Sequence, residues 1–445
     1  MKRILIIGSG LSSIYLIEYL EKEAKKSRWE ITVADRNIQS VIEKTGQGTN
    51  VMELDIFNEE QRDNAIQHSD MVISMLPMKF HIYVTQSCLK YSRSLLTASY
   101  ESDEIKKMHN EAVEKDILFL NETGLDPGID HMSAMQLLDR IKQAGHQLLG
   151  FESFTGGLVA PESDNNPWHY KFSWNPENVV RAGQKGPAKF IQEGQIKYIP
   201  YNRLFRRTEK IEIDGLGKFE GYANRDSMKY IEKYDLQGIP TIYRGTLRRP
   251  GFSRAWNVFV QLGATDDSYI MDNSENMTNR EFINSFLYYS EHDSVELKLY
   301  HYMHIDQDSG IVEKLRWLGI FENTRIGIKD ATPAQILGHI LDKKWKLEPN
   351  DKDLVVMWHK ITYKEKDKDV PTVLTSSLGV IGDNGKKTAM AKTVGLPLGI
   401  ASKLILNGQI NVKGVCIPTV KEIYDPVLKE LRDYGISFVE KEIKG

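Results

Sequence analysis

Two carboxylates and an imidazole fall within six residues of one another in the stretch Leu120 to Met135, LNETGLDPGIDHMSAM. A side chain that moves a proton must lie within hydrogen-bond reach of it. Asp126 is the candidate for relaying a proton, with His131 as a second. The plainer alternative is a capped helix start, with Asp126 or Asp130 as N-cap. The surrounding residues predict how the group is presented. Ile117 to Leu120 is a short apolar run, the pattern of a strand buried in a parallel sheet. Gly124 permits a backbone conformation that other residues resist. Asp126-Pro127-Gly128 is turn chemistry. A helical pattern then begins at Met132. Open α/β folds place their ligands at such strand-to-helix turns.

A second turn of this kind opens the chain. Arg3 to Ile7 is an apolar strand running into Gly8-Ser9-Gly10-Leu11-Ser12-Ser13, and a helix follows to about Lys26. Ser13 stands where the third glycine of GxGxxG would be, and is small enough to keep helix and strand close. Backbone N–H groups at such a helix start face a pyrophosphate, and glycine lets the phosphates approach. The pattern predicts a dinucleotide site. The second strand, Glu30 to Ala34, ends at Asp35-Arg36. Asp35 would accept from adenosine ribose hydroxyls and favour NAD, whereas Arg36 could pair with the 2′-phosphate of NADP. Repulsion between Asp35 and a phosphate tips the expectation towards NAD.

Further apolar runs follow. Val51–Leu54 leads to Asp55-Ile56, where a side chain could lie against adenine; Met71–Met75 ends at Leu76-Pro77; Ser94–Leu96 ends at Thr97-Ala98-Ser99-Tyr100. With helices between them, these predict a doubly wound sheet. Ser99 and Tyr100 then sit at a strand's C-terminal edge.

A chain of 445 residues has room for two or three domains. A net charge of −3 argues against general attraction to nucleic acid or anionic membranes. Cys88 and Cys416 are the only cysteines, so neither a disulfide framework nor a cysteine-rich metal site is expected, and no metal is assigned. The chain starts directly in a strand, and no apolar run approaches the ~20 residues that span a bilayer. The expected location is the cytoplasm.

Beyond Gly150 the βα rhythm breaks. Phe151 to Gly157 reads as a strand ending in a glycine corner, followed by a loop, Ala160 to Trp174, dense in aromatic and polar residues. Arg225 lies in GYANRDS and Arg248 in RGTLR; an arginine fork binds a carboxylate through two parallel bonds. The common fate of a single arginine is a surface salt bridge. Met277 to about Leu347 is mostly helical, with Thr332-Pro333 opening one helix. Leu354 to Val373 reads as a hairpin with the charged tip Tyr363–Asp369 in solvent. Helices near Leu398–Leu406 and after Pro418 close the chain.

Five blocks carry a resemblance. GLDPGIDHMSAM, TASYES, GGLVAPESDNNPWHYKFSWNP, GYANRDS and RGTLR resemble those of saccharopine dehydrogenases of the glutamate-forming type, also called saccharopine reductases. The resemblance covers essentially the whole chain. One departure is Thr155, where that family often has cysteine, so no catalytic cysteine is assigned. It implies an α/β protein: an N-terminal Rossmann-type doubly wound sheet with an inserted α+β substrate and dimerisation domain and a small helical subdomain. The expected boundaries are 1–127 plus 391–445, 128–275 plus 352–390, and 276–351. Implied catalytic residues are Asp126, Tyr100 and His131; substrate contacts are Ser99, Tyr100, Asp126, Arg225, Thr246, Leu247 and Arg248. For the cofactor, NAD or NADP, the resemblance adds Leu76, Pro77, Thr97, Leu125, Pro127, Gly128 and Trp174 to the glycine-turn residues Gly8, Ser9, Gly10, Leu11 and Ser12 and to Asp35, Arg36, Asp55 and Ile56. The substrate would be saccharopine, or glutamate plus aminoadipate semialdehyde, acted on by a homodimer with no nucleic-acid or membrane partner. Rival readings are a reductive-condensation enzyme for another amine, like carboxynorspermidine synthase, and a non-catalytic nucleotide sensor. The sensor predicts a degraded substrate region, whereas Arg225, Thr246 and the tryptophan loop are intact.

Overall fold

The N-terminal apolar runs form parallel strands β1 (Arg3–Ile7), β2 (Glu30–Asp35), β3 (Asn50–Glu53), β4 (Met71–Ser74), β5 (Ser94–Thr97) and β6 (Leu118–Leu120). In the computed structural model, which describes residues 1–184, 186–366 and 368–444, they lie in the order β3-β2-β1-β4-β5-β6. A seventh parallel strand, Gly414–Cys416, pairs with β6 and returns the chain's last part to this sheet. The order reverses between β1 and β4, so the loops after those strands diverge and leave a crevice. Ile4, Leu5, Ile6 and Ile7 are at most 2% exposed, because helices cover both faces of a parallel sheet. Helix α1 (Ile14–Ser27) follows the glycine turn, α2 (His81–Lys90) follows β4, and α3 (Ile129–Gln143) follows the Asp126 turn.

The described residues fall into two compact units, chiefly 1–147 with 386–439, and 148–364 with 370–385. The boundary lies one helix beyond the expected 127/128. Helix α3 belongs to the first unit because it packs on the Lys421–Leu431 helix, where the Tyr424 hydroxyl donates to Asp139 at 2.6 Å and Gln136 donates to Asp425 at 3.0 Å. The helical stretch 276–351 belongs to the second unit; its Phe282, Leu299, Leu315 and Leu337 share one core with Phe154 and Leu247 of the strands.

The closing helix runs Ala389–Leu406 rather than from Leu398, with Pro397 inside it. Burial overrides the proline: Gly395 through Ser402 are all buried. A Cβ on Gly395 would lie 2.8 Å from the Leu16 nitrogen and one on Gly399 2.6 Å from the Tyr19 ring, so the two glycines admit α1 at close range. This helix is long and apolar enough to cross a membrane, but 67% of it is buried inside the protein, as a core helix is.

The second unit is built on a mixed sheet. Strand β7 (Gln147–Val159) is followed by β8 (Ala188–Gln192), β9 (Gln195–Ile199), β10 (Glu209–Ile213), β11 (Gly217–Ala223), β12 (Thr241–Arg248), β13 (Asp353–Lys364) and β14 (Thr372–Ile381). The main path is β10-β11-β12-β7-β13-β14 and then Val439–Lys444, with β8 pairing β12 and β9 pairing β8. No glycine corner ends β7. The strand runs through Gly156, whose Cβ would stand 2.7 Å from the Leu247 carbonyl oxygen. Of the charged run Tyr363–Asp369, Asp367 lies outside the described residues, as does Gly445 at the chain's end.

Candidate functional site

In the glycine turn the two glycines have different reasons. Gly8 has φ +103°, and a Cβ there would stand 3.0 Å from the Met75 backbone. A Cβ on Gly10 would meet no atom of the described residues within 4 Å, so packing does not require glycine there. Leu11 is 69% exposed beside it, and Ser12 is half-buried. Ser13 is fully buried, its hydroxyl donating to the Gly10 carbonyl at 2.9 Å. Ser9 faces inward. Its N–H donates to Asp35 Oδ2 at 2.7 Å and its hydroxyl to the same oxygen at 3.0 Å, while Asn37 N–H donates to Oδ1 at 2.9 Å. Burial would raise the Asp35 carboxyl, but these donors from Asn37 and Ser9 outweigh it and hold the group below the usual carboxylate range. Asp35 thus latches the turn. The expectation that it reads the ribose, and with it the tilt towards NAD, finds no support. Arg36 is exposed. Lys44, which no sequence signal marked, donates to the carbonyls of Ser9 and Gly10.

Ile56 does not offer its side chain to a ligand. It is 8% exposed in the sheet's core, while Asp55 is exposed and caps Phe57 N–H at 3.0 Å. Leu76 and Pro77 stand at the reversal point, half-buried and exposed.

At the ends of β4, β5 and β6 the polar groups pair with one another. His81 opens α2. Its Nδ1 lies 2.9 Å from Ser74 Oγ, and its Nε2 lies 2.7 Å from Ser99 Oγ and 3.2 Å from Thr97 Oγ1. Thr97 is 1% exposed, with its hydroxyl spent in this cluster and on Ser99 N–H, so it is a support rather than a cofactor contact. Glu122 accepts from Glu101 N–H at 3.2 Å and meets His131 Nε2 at 2.7 Å. His131 and Glu122 are 0% and 1% exposed. Enclosure takes the His131 ring away from any reacting atom, against its expected catalytic role.

Between them runs the Asp126 turn. Residues 121–135 are buried except Asp126, which is half-buried; the turn presents that carboxylate alone. Leu125 and Pro127 are buried beside it. Gly124 is required by space rather than by φ: its Cβ would lie 2.9 Å from that of Ala98. Gly128 has φ +147°, and a Cβ there would fall 2.1 Å from the Gly124 oxygen. Asp130 Oδ1 accepts from Gly128 N–H at 2.6 Å, so Asp130 serves the helix start.

In the second unit Arg248 is 4% exposed. Its guanidinium lies over the rings of Tyr170, Phe252 and Tyr222 at 4.9, 5.3 and 5.9 Å. It donates to the Leu247 carbonyl at 2.9 Å, its Nε has no hydrogen-bond partner, and no carboxylate among the described residues pairs with it. Glu220, opposite in register, turns instead to the N–H groups of Gly251 and Ser253 at 3.1 and 2.5 Å. Thr246, half-buried, pairs in register with Thr155, whose buried hydroxyl lacks a hydrogen-bond partner. Leu247 is fully buried in the core, so its side chain cannot meet a substrate. The glycine of the RGTLR block answers to packing: a Cβ on Gly245 would lie 2.1 Å from the Phe154 ring. Arg225 is exposed, at φ +53°, on a loop pinned by Lys189 N–H to its carbonyl at 2.8 Å. The rich loop before it is mostly core. Trp168 and Tyr170 are fully buried, packing on Trp345 at 5.2 and 5.0 Å, and Trp174 rests half-buried against the same cluster.

Comparison with known proteins adds the following. Residues 4–120 match the family described as saccharopine dehydrogenase NADP binding domain, and residues 124–436 the saccharopine dehydrogenase C-terminal domain. The chain is 32% identical over 453 residues to a saccharopine dehydrogenase (NADP+, L-glutamate-forming) of Pyricularia oryzae, covering 99% of each. It is 32% identical to the mitochondrial alpha-aminoadipic semialdehyde synthase of Bos taurus, covering 98% of this chain and 47% of that one, so it spans about half the length of that relative. Its structure resembles apo saccharopine dehydrogenase (L-Glu forming) from Saccharomyces cerevisiae, with a TM-score of 0.89, 30% identity and full coverage of both chains.

Proposed function

The chain belongs to the saccharopine dehydrogenase family, and from that premise we propose that it is an NADP-dependent, glutamate-forming saccharopine dehydrogenase of lysine metabolism. In one direction a hydride leaves the carbon beside saccharopine's secondary amine, and water splits the resulting imine into glutamate and 2-aminoadipate 6-semialdehyde. In the other the two condense and the imine is reduced. When bound, the nicotinamide accepts or returns that hydride. Gly10, Leu11 and Ser12 receive the pyrophosphate at the start of α1. Arg36 meets the 2′-phosphate, and Leu76, Pro77, Leu125, Pro127 and Gly128 line the remaining cofactor path. Ser99, Tyr100 and Asp126 face the amine, with Asp126 holding or moving its proton. Arg248, Thr246 and Arg225 take the carboxylates. His131 acts through Glu122 and touches no substrate.

The observation that carries this reading is Arg248. A buried guanidinium with no carboxylate beside it is costly unless an anion joins it, and saccharopine brings three carboxylates. A carboxynorspermidine-type substrate offers fewer. Absorbance at the nicotinamide band tests the reading. Purified protein given saccharopine should reduce NADP, and NAD more slowly. No absorbance change with either would overturn the assignment. The reading includes a homodimer, supported by the edge strand β9, where Ile196 and Tyr198 are 49% and 60% exposed; light scattering showing a monomer at micromolar concentration would reject it. It also includes a cytoplasmic location, supported by two free cysteines and tested by fractionation.

A further inference from the structure

Ser99 lies two residues beyond β5, half-buried, and the proposed reaction uses it, yet a serine hydroxyl rotates freely unless something holds it. Here something does. The His81 ring is 2% exposed at the first turn of α2, and burial lowers it to about 4, so it is neutral at physiological pH. A neutral imidazole has one donor nitrogen and one acceptor nitrogen. Nδ1 is engaged by Ser74 Oγ at 2.9 Å, with Ser74 itself fully buried at the end of β4. Nε2 is left to the Ser99 hydroxyl at 2.7 Å, with Thr97 Oγ1 a longer neighbour at 3.2 Å. Thr97 Oγ1 also accepts from Ser99 N–H at 3.2 Å, so both the backbone and the hydroxyl of Ser99 are tied to one cluster. No motif singled out His81.

We infer that His81 is a positioning residue for the reaction: through Nε2 it fixes the direction of the Ser99 hydroxyl towards substrate. This rests on the reading of Ser99 as a substrate contact. The competing role is a staple, in which His81 merely ties α2 to β4 through Ser74. The two roles use different nitrogens, and two side chains separate them. An asparagine amide reaches about where Nδ1 lies, a glutamine amide about where Nε2 lies. His81→Asn keeps the bond to Ser74 and loses Ser99; His81→Gln does the reverse.

The experiment is steady-state kinetics of the full chain with saccharopine varied, NADPH titration, and thermal unfolding of the same variants. His81→Asn should lower kcat/KM roughly 3–10-fold, the span of one neutral hydrogen bond. His81→Gln should retain most of it, and NADPH affinity should hold in both. In a Ser99→Ala background, His81→Asn should cause no further loss. Should His81→Asn fail to fold, His81→Gln must still retain most of kcat/KM, and Ser99→Ala must cost the same in that background as in the wild type; a His81→Gln loss that Ser99→Ala does not change would leave the staple. Equal losses from Asn and Gln, or a His81→Asn loss that persists without the Ser99 hydroxyl, would overturn the inference and leave the staple. A wild type that does not turn over saccharopine overturns the functional reading and this inference together; an active wild type with the wrong variant pattern overturns this inference alone.

Discussion

The polar residues at the strand ends of the first unit are paired with one another. Ser9 with Asp35, His81 with Ser99, and Glu122 with His131 each meet at 2.7 Å. Arg248 in the second unit is the opposite case, a cation buried among rings with one carbonyl as its acceptor. Groups held by neighbours point the same way with or without a ligand, so they cost no reorganisation when one arrives. A buried cation without an anion lowers the stability of the fold and gains only when a ligand supplies the charge. On the proposed reading, the first unit is organised for direction and the second for affinity. A stability loss retained at one buried residue is expected where function needs it.

The largest effect that could break this contrast concerns the glycine turn. Gly10→Val should weaken NADPH binding by more than about 100-fold, or ~2.8 kcal/mol at ~1.4 kcal/mol per tenfold, with thermal unfolding unchanged. Gly8→Val should instead lower Tm, since its side chain would press on the Met75 backbone. Fluorescence titration and calorimetry of the two variants decide the matter. Normal NADPH affinity in a folded Gly10→Val protein would remove the dinucleotide assignment.

Arg248→Met comes next. It should raise KM for saccharopine roughly 10–150-fold, from ~1.5–3 kcal/mol for a hydrogen bond to a charged group. It should leave Tm unchanged or raise it, because an unpaired buried charge is exchanged for an apolar side chain in an aromatic core. A lower Tm with normal kinetics would show Arg248 to be a structural strut.

Arg225 is exposed, so solvent screens what it offers a carboxylate. Arg225→Ala should cost about tenfold in kcat/KM for saccharopine, the low end of the range for charged hydrogen bonds. Arg225→Lys should fall between, keeping charge without the fork. NADPH affinity should barely move. Equal losses in the kinetic and cofactor assays would place Arg225 in the fold or the cofactor site; near-normal kinetics would return it to the surface.

Much of the first unit was legible because parallel strands are unbroken apolar runs and the glycine turn has a fixed grammar; β1 matches its expected span residue for residue. The turn that carries Asp126 was legible as well, since Asp126-Pro127-Gly128 is turn chemistry. The pairs that aim the site were not. Glu122 and His131 are nine residues apart, and Ser99 and His81 eighteen, spacings with no periodic signature; each pair joins a loop beyond a strand end to a helix, which only the folded chain brings together. Burial also overrode local rules. Pro397 sits inside a helix, and the aromatic loop before Trp174 is mostly core. Arginines mislead in the other direction. Arg225 and Arg248 read alike as charges, but β12 is buried on both faces at its end, which encloses Arg248 next to Leu247, while a left-handed loop residue presents Arg225 to water.

The smallest expected effect concerns cofactor choice, and it tests whether Asp35 is a latch or a reader. A reader would leave its carboxylate to the ribose hydroxyls and repel a 2′-phosphate, giving NAD preference. Here both oxygens are taken by Ser9 and Asn37, and those donors hold the group ionised at neutral pH. The negative charge is thus spent within the turn, and exposed Arg36 is the charge left to meet a phosphate on the proposed reading. Arg36→Ala should reduce the preference for NADP over NAD by up to about fivefold, since an exposed charge pair is worth at most ~1 kcal/mol. Asp35→Ser should weaken both cofactors alike, because it frees Ser9 and loosens the turn they share. The measurement is the ratio of kcat/KM for NADP and NAD in each variant, alongside the two separate affinities. If Asp35→Ser instead leaves NAD binding intact and selectively improves NADP, Asp35 reads the ribose after all, and the turn in the first unit is held by something other than the Ser9 pair.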